Sequence, residues 1–186
     1  MASFPTSVKS FTTRNAGDTI QGAHVNDLQD EVNAIESTFV NGQARCQVYN
    51  SNTQSINDNS FTAITFDSED HDTGAMHSTA TNTSRLTVPA NAGGAYLVCG
   101  GTRFAANGTG TRVVRIVKNG ATQVSTGTAV PGNASVDVVI ATSCLVVLAA
   151  GDYVELQAYQ NSGGALAVGS GTSRYEQSFA YAVRVW

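Results

Sequence analysis

A chain of 186 residues with 41% hydrophobic residues holds one domain plus an appendage and has the apolar side chains for a real core. Charged residues are 13% and the formal net charge is −4, so no positive field attracts nucleic acid, and DNA or RNA binding is disfavoured. No apolar run approaches the roughly 20 residues of a membrane span, so membrane insertion is not expected; the longest run, Cys144–Ala150, has strand length.

The N-terminal segment reads as two pieces. Residues 1–17 are polar and irregular, with Pro5 and Gly17 as breakers, and predict an extended arm. Met1–Lys9 lacks the charged-then-apolar order of a secretory signal, which predicts synthesis in the cytoplasm. A helix is predicted from Asp18, which can cap it, with Gln21 completing a capping box. Val25, Leu28, Val32, Ile35 and Phe39 then follow at alternating spacings of three and four, a coiled-coil seam, and Asn41-Gly42 supplies the stop. Two heptads are too short to hold together in water unaided. The seam is therefore expected to bury itself among further copies or on another protein, the alternative being its own β-domain. Residues 1–42 form an attachment and assembly segment in this reading, and 43–186 the main domain.

From about Ala44 the period changes to two. Strands are predicted around Val48, over Phe61–Phe66, Ser84–Val88, Tyr96–Gly101 and Arg112–Val117, and again from Gln123. Asn119-Gly120 between the last two is a hairpin signal. Further strands fall over Val136–Leu148, Tyr153–Tyr159 and Ser178–Trp186. Eight to ten short strands with no helical stretch between them predict a mainly β fold, an antiparallel sandwich or jelly roll. The closing run ends on Val183-Arg184-Val185-Trp186, which predicts a paired, central strand. Alternation puts Val154, Leu156 and Ala158 on a core face and Tyr153, Glu155, Gln157 and Tyr159 opposite; Phe179, Tyr181, Val183 and Val185 likewise share a face. Tyr153, Tyr159, Phe179 and Tyr181 are the candidate residues of an interface between copies, because aromatics are enriched at interfaces; the alternatives are a place in the sandwich core or plain solvent exposure.

The chemistry-bearing residues form no strong constellation. Asp67-Ser68-Glu69-Asp70-His71-Asp72 with His77 is the densest polar cluster, but it lacks the spacing of a calcium loop and reads as a solvated inter-strand loop. Glu69, His71 and His77 are loosely spaced for zinc. No G-x-S-x-G elbow occurs, and neither Gly108-Thr109-Gly110 nor Gly163-Gly164 opens a phosphate-binding helix. Asp152 and Glu155, three apart on a strand, point to opposite faces and make a poor glycosidase pair. Cys46, Cys99 and Cys144 form no CxxC; Cys99 and Cys144 read as small buried hydrophobes, with one disulfide left open. The three sequons at Asn82, Asn107 and Asn133 read as loop composition. No cofactor, metal site or catalytic residue is expected.

Several segments resemble a known fold family in order. Phe61–Asp67, Asp72-Thr73 and Ser84–Pro89, then Gly94-Ala95-Tyr96-Leu97-Val98, then Leu148–Leu156 with its Gly151-Asp152-Tyr153-Val154-Glu155-Leu156 run, and finally Phe179–Trp186 are similar to the tumour-necrosis-factor-like jelly roll of the complement globular-head type. The helix Ala23–Glu36, preceded by Gly17-Asp18-Thr19-Ile20, resembles a segment near the N-termini of bacteriophage virion proteins. The first resemblance implies a ten-stranded jelly roll that trimerises about a three-fold axis; the second implies a head fibre, capsid decoration or tail-fibre tip. The collagen repeats of the complement relatives are absent and a helix stands in their place, which argues against a complement-like or hormone-like role. The expectation is a homotrimer on a virion surface, bound to the major capsid or tail protein through its N-terminal segment. The alternative is a tail-fibre module whose loops at 67–82, 105–111 and 161–174 bind a host cell-surface glycan. A polysaccharide depolymerase ranks last.

Overall fold

Period-two alternation from Arg45 onward produces two antiparallel sheets facing each other across an apolar core. The computed structural model describes residues 22–41, 44–131, 133–169, 171, 173 and 176–185. The expected arm, the Asp18 and Gln21 cap, Gly42 and Trp186 lie outside them. The chain divides into two units, Met1–Gln43 and Ala44–Trp186.

The first unit contains α1 (Gly22–Asn41), which carries Val25, Leu28, Val32, Ile35 and Phe39 on consecutive turns. Of the predicted seam, Val25, Leu28, Val32 and Ile35 are 43–55% exposed. Among the described residues no helix is long and apolar enough to cross a membrane.

The second unit contains β1 (Arg45–Asn50), β2 (Gln54–Ile56), β3 (Thr62–Ala63), β4 (Ser68–Asp72), β5 (Arg85–Thr87), β6 (Gly94–Phe104), β7 (Arg112–Lys118), β8 (Thr122–Ala129), β9 (Val138–Leu148), β10 (Tyr153–Gln160), β11 (Leu166–Val168) and β12 (Ser178–Arg184). The larger sheet runs β2-β11-β6-β12-β1-β4, with β9 also paired to β6. The smaller runs β3-β10-β7-β8, with β5 also paired to β10. Every ladder between these strands is antiparallel, and among the described residues a single parallel bridge joins Asp58 to Gln160. The mainly β jelly roll is as expected, with twelve strands in place of about ten. The extra strands are short, and β4 falls where a solvated loop was expected: Ser68–Asp72 pairs with β1 across a bulge at Gln47/Val48. β12 is interior, flanked by β1 and β6, as its apolar ending demanded.

Val48, Tyr96, Val98, Phe104, Ala180 and Ala182 from the larger sheet meet Leu86, Val114, Ile116, Val154, Leu156 and Ala158 from the smaller, all buried. Gly100 makes the sheets close: a Cβ there would stand 2.8 Å from Leu156 Cδ1. The β7–β8 turn uses Asn119 and Gly120 at φ 51° and 70°, the paired left-handed conformation of a tight hairpin.

The sandwich has two unlike ends. Ala44, where the chain enters, accepts from the Arg184 amide, and the same end carries Pro89–Gly93 and the Ala149–Asp152 turn, tied by Val88 N to Asp152 O. The opposite end gathers four loops. Gly110 abuts Asn161, Gly108 abuts Asn133 and Ala134, and Gly163 N donates to Asp58 Oδ1. Of the three expected binding loops, 105–111 and the first part of 161–174, residues 161–165, meet there, and β11 interrupts the latter at Leu166–Val168; Met76, in the third, bonds Thr87 near the entry end.

Candidate functional site

The feature that stands out is the outward face of the larger sheet. In β6 the even residues turn inward and the odd ones outward. Register then lays three rows across β12, β6 and β9: Val183–Leu97–Leu145, Tyr181–Cys99–Ser143 and Phe179–Gly101–Ala141. Leu97, Leu145 and Val147 are 40%, 58% and 72% exposed. Gly101 leaves room for a ring, since a Cβ there would lie 3.0 Å from Phe179 Cε1. The Tyr181 hydroxyl bonds the Cys99 thiol, and that bond together with burial pushes the phenol above its ordinary pKa.

Polar groups frame this surface. Arg103 pairs with Asp137 and with Glu176, the latter at 3.1 Å. Towards the entry end an open hollow of about 250 Å³ is lined by Arg45, Cys46, Gln47, His71, Tyr181 and Val183. There Arg45 Nε donates to His71 Nε2 at 2.6 Å.

The outward face of the smaller sheet is built differently. The Arg85 guanidinium lies 4.1 Å over the Tyr153 ring, and its Nε donates to Glu155 at 3.2 Å. Arg115 lies 3.5 Å over Phe61 and donates twice to Gln157 Oε1. Tyr159 packs against Phe61 with ring centroids 5.1 Å apart and donates its hydroxyl to Asn59. The four expected interface aromatics are therefore not brought together. Phe179 and Tyr181 lie on the apolar outer face, whereas Tyr153 and Tyr159 lie on the opposite side, in contact with their own neighbours.

The acidic cluster is used internally. Asp67 accepts from the Ser51 amide and hydroxyl, from Asn52 and from Ser68. Burial works to raise its pKa, but these bonds win and hold it below the ordinary carboxylate range. Asp72 accepts from the amides of Gly74, Met76 and His77, and Glu69 bonds His77 Nδ1 at 2.8 Å. Among the described residues no group of three or more His, Cys, Asp or Glu is placed to hold a metal ion.

The cysteines correct one expectation. Cys99 and Cys144 are half-buried, while Cys46 is the buried one, and burial followed by the charges of Asp72 and Glu69 pushes its thiol far up. Burial and then Cys99 also raise Cys144. Cys99 and Cys144 face opposite sides of the sheet, and β1 and β9 are separated by two strands, so all three thiols are free.

Leu97, Leu145 and Val147 were not singled out from the sequence. The available signal was β9 itself: Val139, Leu145 and Val147 on one parity and Val138, Ile140, Val146 and Leu148 on the other make it apolar on both faces. One of these faces lies in the core and the other carries the exposed Val139, Leu145 and Val147.

No protein-family model matches the sequence, and no curated protein matches it. Solved structures do. The globular domain of zebrafish complement 1qA is 16% identical, with TM-score 0.55 over 77% of this chain and 98% of that one. Murine APRIL at pH 5.0 is 12% identical, with TM-score 0.57 over 77% of this chain and 99% of that one. The β-domain is a jelly roll of the tumour-necrosis-factor and complement type. At these identities the likeness concerns the fold alone.

Proposed function

We propose that this protein is a structural, non-enzymatic bacteriophage virion protein. It is a homotrimer, made in the host cytoplasm and held to the capsid or tail by its N-terminal segment. It displays the jelly roll on the particle surface as a capsid decoration or head fibre. The observation that carries the assembly is the apolar outer face formed by Val183, Leu97, Leu145 and Val147 with Phe179 and Tyr181. Contiguous apolar patches on soluble chains mark interaction surfaces. A second copy suits it, because the centre of the patch bears no charge and the seam of α1 calls for helices of matching length, which copies of one chain supply. The jelly-roll resemblance favours three copies, and the likeness of Ala23–Glu36 to phage virion segments favours a particle as the destination.

The two-ended β-domain suits display. The chain enters at Ala44 and the loops around Gly108, Asn133 and Asn161 gather at the far end. Light scattering of the full chain is expected to give three times its 19.3 kDa mass; a monomer mass at micromolar concentration would refute the trimer. Antibody-gold labelling of purified particles tests the location, with labelling at head or tail expected and bare particles against it.

The gathering of those loops also favours a second reading, a receptor-binding module for a host surface glycan. Thr109 is exposed there, beside half-buried Asn107, Asn161 and Ser162, which bond Thr109, Thr111 and Gln160. Glycan-array binding that Thr109→Ala and Ser162→Ala together abolish would favour it over plain decoration.

A further inference from the structure

We propose that the His71–Arg45 pair is an acid-triggered release built into the assembly face. This inference rests on the assembly reading above and adds its regulation.

An arginine Nε carries a hydrogen at every accessible pH and can only donate. His71 Nε2, 2.6 Å away, therefore holds the lone pair, and the ring is neutral with its proton on Nδ1. A proton added at Nε2 would set N–H against N–H and place a second positive charge beside the guanidinium. In a single chain both side chains are exposed, so they can swing apart and water screens them. The hollow they line shares Tyr181 and Val183 with the apolar face. A second copy seated on that face removes the water and the room to part, and the repulsion then opposes association.

The surroundings offer little compensation. From β1, His71 faces Arg45 and Gln47; from β12, Tyr181; beneath it lies the neutral Cys46 thiol. On its own strand, Asp70 is exposed and accepts from Gln47 at 3.4 Å. Asp72 is turned onto the amides of Gly74, Met76 and His77, and Glu69 onto His77. His77 makes the contrast. Its Nδ1 meets the Glu69 carboxylate and its Nε2 meets the Thr83 carbonyl at 3.1 Å, both acceptors, so a second ring proton is accommodated where it stands.

The test is sedimentation equilibrium of the full chain at pH 7.5 and 5.5, on either side of the range in which imidazole titrates. For the wild type the concentration at half-assembly is expected to rise on the order of tenfold or more on acidification. His71→Gln keeps a carbonyl facing Arg45 and gains no proton, so it should remain assembled at both pH values; comparison with it also separates His71 from His24 and His77. Far-UV circular dichroism should show an intact β signal throughout. An unchanged wild-type constant, or an equal shift in His71→Gln, overturns this inference and leaves the assembly standing. Loss of the wild-type β signal at pH 5.5 also overturns it, because acid then acts on the fold. A monomer at pH 7.5 overturns the assembly reading, and this inference with it.

Discussion

The two outward faces of the sandwich carry similar numbers of aromatic residues and treat them oppositely. On the smaller sheet each ring has a partner from the same subunit: Arg85 on Tyr153, Arg115 and Tyr159 on Phe61, Asn59 on the Tyr159 hydroxyl. On the larger sheet Phe179 and Tyr181 lie beside exposed Leu97, Leu145 and Val147. Polar pairing lets a β-sheet face water; an in-register apolar row leaves it waiting for cover. Aromatic content alone does not distinguish a solvent face from an interface. What the rings touch does.

That contrast can be broken experimentally. Leu97→Asp puts a charge in the middle of the apolar row, and three like charges would meet in a trimer. The expected loss is several kcal/mol of association, a hundredfold or greater rise in the concentration at half-assembly on the order-of-magnitude costs of buried like charges. Because Leu97 points outward, the thermal unfolding of the single subunit should hardly move. Arg115→Ala on the other face should do the reverse: association unchanged, subunit stability lowered by about 1–2 kcal/mol through the lost stack on Phe61 and the lost bonds to Gln157, read from urea denaturation. An effect of Arg115→Ala on association, or none of Leu97→Asp, would erase the distinction.

The smallest effect belongs to neither face. Bonds from Asn119 and Lys118 hold the Asp152 carboxyl down at about 2, against an ordinary 3.8. A depressed carboxylate stabilises the fold above its unfolded-state value, and that contribution disappears as pH falls through about 2. Asp152→Asn should therefore cost a little stability at pH 6, where surface screening keeps the effect modest, and the gap from wild type should close on acidification. Urea midpoints between pH 6 and 2 measure it, with assembly unchanged at pH 6.

The long strands were legible because each alternates cleanly. Val154, Leu156 and Ala158 turn inward as read, and Asn119-Gly120 makes its hairpin. β2, β3 and β11 have two or three residues each, too few for a period to show. β4 was hidden by its composition, since Ser68–Asp72 gains strand form from the ladder to β1 and not from its own propensity. The apolar outer face of the larger sheet was half legible. Alternation grouped Phe179, Tyr181 and Val183, but it could not separate them from Tyr153 and Tyr159, whose partners are set by long-range contacts such as Asn59 to Tyr159. The helix α1 was legible, because a heptad is a local pattern.

The crowding of loops at the end remote from Ala44 has a practical side. Around Gly163 and Gly164 there is open space, enough for added side chains. A foreign peptide spliced between them would leave the hairpins and the β12 closure intact. The molecule would then serve as a carrier, its cargo held at the end remote from Ala44.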